Sequence, residues 1–426
     1  MLKIFFIFLL SFTIIEANIQ LIKKENNDSN TTLLVVAGIH GDEPGGYFAA
    51  SILATNYTIT SKNLWIIPNL NKKSIQRHSR GINGDMNRKF AKTKAKDKDA
   101  KIIKEIKEII LSKQVSLVLN LHDGHGFYRK ENHGKIFNPN AWGQTCVIDQ
   151  YKLDLNQPFG NLSDIALKVK NNLNKHVIEE HHSFNVKNTQ TKFDDEAMQL
   201  SLTYFAVTNN KPAFAIESSK NLSSLSQKVF YQLLAIEEFM KIMDIKYTKD
   251  FILNEQNINK ILQDKGNILI NDVISLNLSN IKKSLSYFPL QSKSNVFKFT
   301  HPLGSVKRVR NKFMVYIGDE KITTFYPQYF EYANNCSQNY SYEIDGYEQI
   351  FNKTSEISIT DDFKIMDLES TRVNIIGFRN KKSETGVDVS YNSMNKRFSI
   401  DKDKKIFRVE FYKNKKFCSM QLVHFK

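Results

Sequence analysis

Cysteine is scarce, with three residues in 426, at positions 146, 336 and 418. That number excludes a disulfide-dense scaffold, and the lack of any C-x-x-C pair excludes a zinc knuckle. Cys336 and Cys418 both lie in the C-terminal part, where two outcomes stay open: a disulfide in an oxidising compartment, or two separate buried thiols. Long apolar runs are also scarce. Residues 4–15 form one, and it is short of the roughly 20 residues that span a bilayer. With Lys3 before it and Ala17 as the small residue at a cleavage point, it predicts a secretory signal peptide over 1–17, the alternative being an uncleaved anchor. No internal repeat and no long low-complexity linker is present, which excludes solenoids and tethered arrays. No nucleic-acid-binding motif is found either.

What is present is the composition of a globular protein. Hydrophobic residues make up 41% and charged residues 24%, and aromatics at 12% supply material for packed cores. The length points to two or three domains. The net charge of +16 suits attraction to an acidic polymer, an anionic surface or an acidic substrate, although the lysines are scattered rather than gathered in a patch.

Strand and helix signals alternate from about 30 to 246. LLVVAGI (33–39), LWII (64–67), VSLVLNL (115–121) and PAFAIE (212–217) are short apolar runs of the kind that form buried strands. Between them, 97–113 places Ile102, Ile103, Ile106, Ile109 and Ile110 at helical spacing, and 161–179 and 222–244 read the same way. This pattern predicts an α/β domain with a mixed, mostly parallel sheet flanked by helices. Beyond about 247 helical periodicity fades. Short runs rich in Val, Ile, Phe and Tyr, such as 267–278, 311–318, 372–378 and 405–412, predict two small all-β domains.

Four motifs carry chemistry. In GIHGDEPGG (38–46), His40 and Glu43 follow a strand directly and are three apart, so they can face one point. Imidazole and carboxylate are good ligands for Zn2+, and three such ligands leave a place for water. The flanking glycines allow a sharp turn at the sheet edge. In LNLHDGHGF (119–127), another strand ends in His122. His125 competes for the third ligand position, and the strand-end setting favours His122. His133, His181 and His182 have no such setting and read as surface or loop residues. RGINGDMNRKF (80–90) has two arginines and an asparagine, which suits a carboxylate-recognition loop. PAFAIESSK (212–220) ends its strand in Glu217, a carboxylate placed to take a proton from water and hand it to a leaving amine.

Together these motifs resemble the M14 family of zinc carboxypeptidases, whose order is H-x-x-E, an Asn-Arg pair in a DLNRNF-like stretch, a strand-end His and a catalytic Glu. The match covers roughly the first 240 residues. The resemblance implies a zinc carboxypeptidase-like fold, zinc held by His40, Glu43 and His122, and Glu217 as general base and acid. It further implies that Arg80 polarises the scissile carbonyl and that Asn87 and Arg88 hold the substrate's terminal carboxylate. Lys89 departs from the pattern, and the spacing from Glu43 to His122 is shorter than in digestive members. The substrate-covering tyrosine is unplaced, with Tyr204 in SLTYFAV a candidate.

The layout is similar still to the cell-shape-determining peptidoglycan DL-carboxypeptidases of helical Gram-negative bacteria, exported enzymes with β domains after the catalytic one. On that resemblance 1–17 is a signal peptide to the periplasm, 18–246 the catalytic domain, 247–338 a small β domain and 339–426 a β-sandwich-like domain. It implies release of meso-diaminopimelate from a muropeptide tripeptide, with Trp142 and Thr203 lining the substrate pocket. Diaminopimelate carries two carboxylates, and the basic loop can supply the second cation. The β domains are expected to meet the wall or shape-complex proteins, or only to buttress the catalytic domain. Two rival readings stand beside this one: an aspartoacylase or succinylglutamate desuccinylase relative that deacylates small N-acyl amino acids, and a non-catalytic binder of cell-wall peptide.

Overall fold

In the computed structural model, which describes residues 19–26, 29–154, 157–380 and 383–426, an edge strand β1 (Ile22–Lys24) leads into the catalytic sheet. The expected signal peptide lies outside the described residues. β2 (Thr32–Val36) follows, then α1 (Pro44–Asn56) and β3 (Asn63–Ile67). Both β2 and β3 are buried at every residue, as strands covered on two faces must be. α1 begins on Pro44, where a missing N–H costs a helix nothing. α2 (Ala100–Ile110) buries Ile103, Ile106 and Ile110 and leaves Lys104 and Glu108 exposed.

The sheet is completed by β4 (Val115–Gly124), β5 (Thr145–Ile148), β6 (Asn185–Asn188) and β7 (Ala213–Ser219). Helices α3 (Leu162–Leu173), α4 (Leu202–Thr208) and α5 (Leu225–Ile242) alternate with them, and α5 packs on α1 and α3. Among the described residues the strand order is β1-β3-β2-β4-β7-β5-β6. β3, β2, β4 and β7 run parallel, β1 and β5 antiparallel to their inner neighbours, and β6 parallel to β5. The mixed, mostly parallel sheet expected from the sequence is therefore present. Its registers position the chemistry: Glu217 of β7 lies beside His122 of β4 and Thr145 of β5, and Val36 near the end of β2 lies beside Asn120.

Beyond 247 a helix packs on α5 ahead of the all-β part: α6 (Glu255–Gln263), capped by Asn254, whose side chain accepts the Asn257 N–H at 2.8 Å. Its one fully buried residue, Ile258, leaves too short a periodic signal in an Asn-rich stretch to read as a helix. A hairpin follows, β8 (Asn267–Ile270) and β9 (Ile274–Asn277), then β10 (Leu285–Leu290) beside β11 (Glu320–Tyr329). Near the C-terminus come β12 (Thr371–Ile375), β13 (Ile406–Lys413) and β14 (Lys416–Phe425).

β14 joins what the sequence divided at 338/339. It pairs with β13 over its length, with the strand Glu356–Ile359, and with β9 at Ile274↔Met420. Side chains alternate across a strand, so β14 serves two cores. Met420 and Leu422 enter the core continuous with the catalytic domain, while Val423 and Phe425 enter that of the last β module. Cys418 on β14 forms a disulfide with Cys336, and Cys146 is a buried free thiol.

The disulfide closes a loop of 82 residues. Reductant is expected to lower the unfolding free energy by roughly 2–4 kcal/mol. A denaturant midpoint that does not move on reduction would show that the bond carries no stability.

Candidate metal centre and active site

β2 stops at Val36, and Gly38, with φ of +72°, turns the chain above the sheet. His40 lies in this turn and Glu43 caps α1. Glu43 sits between two imidazoles: its Oε1 is 2.9 Å from His40 Nδ1, and its Oε2 is 2.8 Å from His122 Nδ1. All three side chains are buried. Close packing of α1 on β4 makes the contact possible. A Cβ on Gly45 would lie 2.4 Å from Asp123 Oδ1, and the Gly45 N–H donates to Asp123 Oδ2 at 2.8 Å.

The far side of each imidazole is also held. His40 Nε2 lies 2.8 Å from Asp85 Oδ1, and His122 Nε2 lies 2.8 Å from Asn120 Nδ2. Asp85 additionally accepts the Arg80 Nε–H at 2.9 Å and the Asn87 N–H at 2.9 Å. The His122 carbonyl accepts from Gln232 Nε2 at 2.6 Å, which fixes the strand from behind.

The donor set fits a divalent metal ion. His40, Glu43 and His122 offer two imidazole nitrogens and a carboxylate oxygen within 4.8 Å of one another. With both Nδ1 atoms turned to the cluster, each Nε2–H needs an acceptor. Asp85 is one, in the carboxylate–histidine arrangement that orients metal ligands. Among the described residues Asn120 Oδ1 has no partner though it is buried, and a half-turn of that amide places it on His122 Nε2–H.

The charges are mutually supporting. Burial works against charge on His40, but the Glu43 and Asp85 carboxylates outweigh it and raise its pKa to about 9. Burial opposes ionisation of Glu43 too, yet His40 and His122 hold its carboxyl well below the usual range. For His122 burial wins and lowers its pKa, despite the attraction of Glu43. Glu217 is moved the other way: burial, then the charge of Glu43, push its carboxyl well above the ordinary value. It is partly exposed where it lines the cavity.

A cavity of about 260 Å³ brings the sequence candidates together. The triad, Glu217 and Arg80 line it, as do Asn87, Arg88, Trp142 and Thr203. Arg80 is half-exposed, with Nη1 3.2 Å from Glu43 Oε1. Asn87 Oδ1 accepts the Leu202 N–H at 2.9 Å, which leaves its Nδ2 end to donate. Trp142 lies under Lys187 Nζ, 4.3 Å from the ring centroid. Thr203 is buried near Asp149, whose carboxyl burial pushes up to about 6 against the hydroxyls of Thr191 and Thr203.

Other candidates are placed elsewhere. His125 lines the cavity but stands outside the triad. Tyr204 does not line it and packs against the core, because its helix places Thr203 at the cavity instead. Lys89 is held by Asp97 and Asp99 at 2.9 and 2.8 Å, so this departure from the motif is a loop clamp. The basic loop contributes Arg80 and Arg88 to the cavity, and a cation from another element, Lys220, joins them while paired to Asp42 at 2.7 Å. His133 and His181 are exposed as expected, but His182 is buried, stacked on Phe127 and 2.9 Å from the Tyr231 hydroxyl. Asp85, Asn120 and Lys220 were not singled out from sequence. Asp85 sits inside the RGINGDMNRKF motif, and Asn120 two residues before His122 on the same strand face was the other available signal.

The catalytic family described as "Carboxypeptidase controlling helical cell shape" matches residues 2–263, and that described as "C-terminal domain of metallo-carboxypeptidase" matches residues 333–426. The apo structure of the cell shape determinant protein Csd4 from Helicobacter pylori is similar at 32% identity and a TM-score of 0.90, covering 96% of this chain and 100% of that one. Its tripeptide-bound form is similar to the same degree. An mDAP-bound form of Csd4, termed a D,L-carboxypeptidase, has 32% identity and a TM-score of 0.90, covering 95% of this chain and 100% of that one. No curated protein sequence matches.

The hydrogen bond from His40 to Asp85 generates a direct test. Asp85→Asn is expected to weaken metal binding by about 10–100-fold, measured by competition with a chromophoric chelator. Unchanged affinity would remove Asp85 from the centre.

Proposed function

The chain belongs to the family of carboxypeptidases controlling helical cell shape, and on that premise we propose that it is a periplasmic zinc enzyme trimming peptidoglycan stem peptides. The bond cleaved is that between D-Glu and meso-diaminopimelate in a muropeptide tripeptide, leaving the dipeptide. The observation that carries this reading is the in-register pair Glu217↔His122, which sets a carboxyl beside the His40–Glu43–His122 cluster in one cavity. The tripeptide- and mDAP-bound forms of the similar Csd4 support the substrate. The signal peptide expected at 1–17 supports the compartment.

His40, Glu43 and His122 would hold the zinc ion, which supplies a Lewis acid that lowers the pKa of water and polarises the carbonyl. Glu217 takes the proton of the attacking water and holds it until the amine leaves. Glu217 then protonates the departing nitrogen of diaminopimelate. Arg80, at the cavity beside Glu43, donates to the oxygen that gains charge as the carbonyl becomes tetrahedral. Arg88 and the Nδ2 end of Asn87 bind the free terminal carboxylate, which confines cleavage to the chain end. Trp142 and Thr203 bound the space for the rest of the diaminopimelate side chain, and Lys220 is the cation placed to meet its second carboxylate.

Purified protein lacking residues 1–17 is expected to release diaminopimelate from disaccharide tripeptide, seen by mass spectrometry. Chelator should abolish the release, and zinc should restore it. Turnover of an N-acyl aspartate with none of the muropeptide would replace this assignment by a deacylase. Glu217→Gln is expected to lower kcat by about 10²–10⁴-fold with metal affinity retained. Full activity of that variant would remove the proposed base.

A further inference from the structure

A second cavity, of about 730 Å³, lies in the β-rich tail and is lined only by residues between 282 and 412. None of these comes from the sheet that carries His122 and Glu217. Its volume falls in the range of small-molecule sites. Arg408, Glu410 and Tyr412 of β13 recur at every second residue and so share the face that lines it.

The polar groups at this face are not satisfied by one another. Arg408 and Glu410 are 7% and 4% exposed at their side chains, yet their closest approach, Nη1 to Oε1, is 3.5 Å. Among the described residues, Arg408 Nε and Glu410 Oε1 have no hydrogen-bond partner. The other Arg408 contacts, to the Tyr287 and Ser286 carbonyls, are long at 3.3 and 3.5 Å. A buried ion pair kept for stability alone would be closed and fully bonded, because unpaired buried charge is costly. Glu410 is instead tied by its other oxygen to the Tyr412 hydroxyl at 2.6 Å, leaving the guanidinium half-free.

The surroundings are cationic. Among the described residues, Lys282, Arg372, Arg397 and Arg408 line the cavity against one carboxylate, Glu410. Arg372 stacks 4.6 Å over the Tyr412 ring. Two aromatic lining residues are open to solvent, Tyr287 at 72% and Phe398 at 46%. Tyr287 has φ of +51° at an irregularity in β10, a conformation that a bulky residue rarely adopts.

We infer that this cavity is a non-catalytic binding site for a carboxylate-bearing cell-wall glycopeptide. The arginines take the stem carboxylates, and Tyr287 and Phe398 offer ring faces to the attached sugars. The tail would then hold the polymer while the catalytic cavity trims another stem. This inference rests on the peptidoglycan reading above.

The test uses the full mature chain and the double variant Arg372→Gln/Arg397→Gln, whose side chains are both exposed. Retention on purified sacculi and turnover of soluble tripeptide muropeptide are measured together. The expected result is about tenfold weaker retention with soluble turnover unchanged, and an equal loss for wild-type protein on sacculi whose carboxyls have been amidated. Equal retention of variant and wild type would overturn the inference, as would binding transferred to phosphatidylglycerol vesicles. A parallel fall in soluble turnover would show that these arginines hold the fold, and would overturn it too. Wild-type protein retained on sacculi but unable to turn over muropeptide would overturn the reaction assignment and leave the binding site standing.

Discussion

Glu43 is a carboxylate with almost no access to water, and it stays ionised only because four groups converge on it. His40, His122 and Arg80 supply positive or hydrogen-bonding character, and the Asp123 N–H approaches at 3.3 Å. An isolated carboxyl in such a place would take up a proton rather than carry a buried charge. The charge on Glu43 therefore depends on the groups around it. Each member comes from a different part of the chain: a turn after β2, the cap of α1, the loop before Met86, and the far end of β4. The sheet registers and the glycine contact between α1 and β4 are what bring them within reach.

The catalytic half was legible because its chemistry sits at the ends of apolar runs. A strand that must be buried announces itself by composition, and its end is where a polar side chain first meets a cavity. His40, Glu43, His122 and Glu217 could each be found that way, and their order along the chain did the rest. Asp85 and Asn120 could not be weighted in the same manner. Their importance lies in which ring nitrogen they face, a fact of geometry with no counterpart in spacing. Lys89 shows the converse: a cation in a recognition loop that looks available, but is engaged by Asp97 and Asp99 a few residues on. His182 reads as a surface or loop residue because no apolar strand leads into it, yet it is buried by Phe127 and Tyr231, which lie far away in sequence.

The tail was legible in kind and not in connection. Alternating Val, Ile, Phe and Tyr gave strands, but pairing between residues 274 and 420 leaves no local trace. Nine residues of helix at Glu255–Gln263 were likewise hidden in an Asn- and Lys-rich stretch with one fully buried side chain. The charged cavity of the tail escaped notice for the same reason. Arg372, Arg397 and Arg408 are unremarkable in a basic chain until β12, the short helical turn Lys396–Phe398 and β13 bring them to one space.

The shared strand β14 also sets a timetable. Every strand of the catalytic sheet lies within residues 22–219, so that sheet can close without any residue of the tail. The tail cannot close piecemeal, because β9, β13 and the strand Glu356–Ile359 all wait for the same partner at 416–425. Until those residues pair, these strands present bare backbone edges, the surfaces on which foreign strands add. The tail therefore closes as one late unit around 416–425, and until it does its open strand edges are where the molecule is most exposed to aggregation.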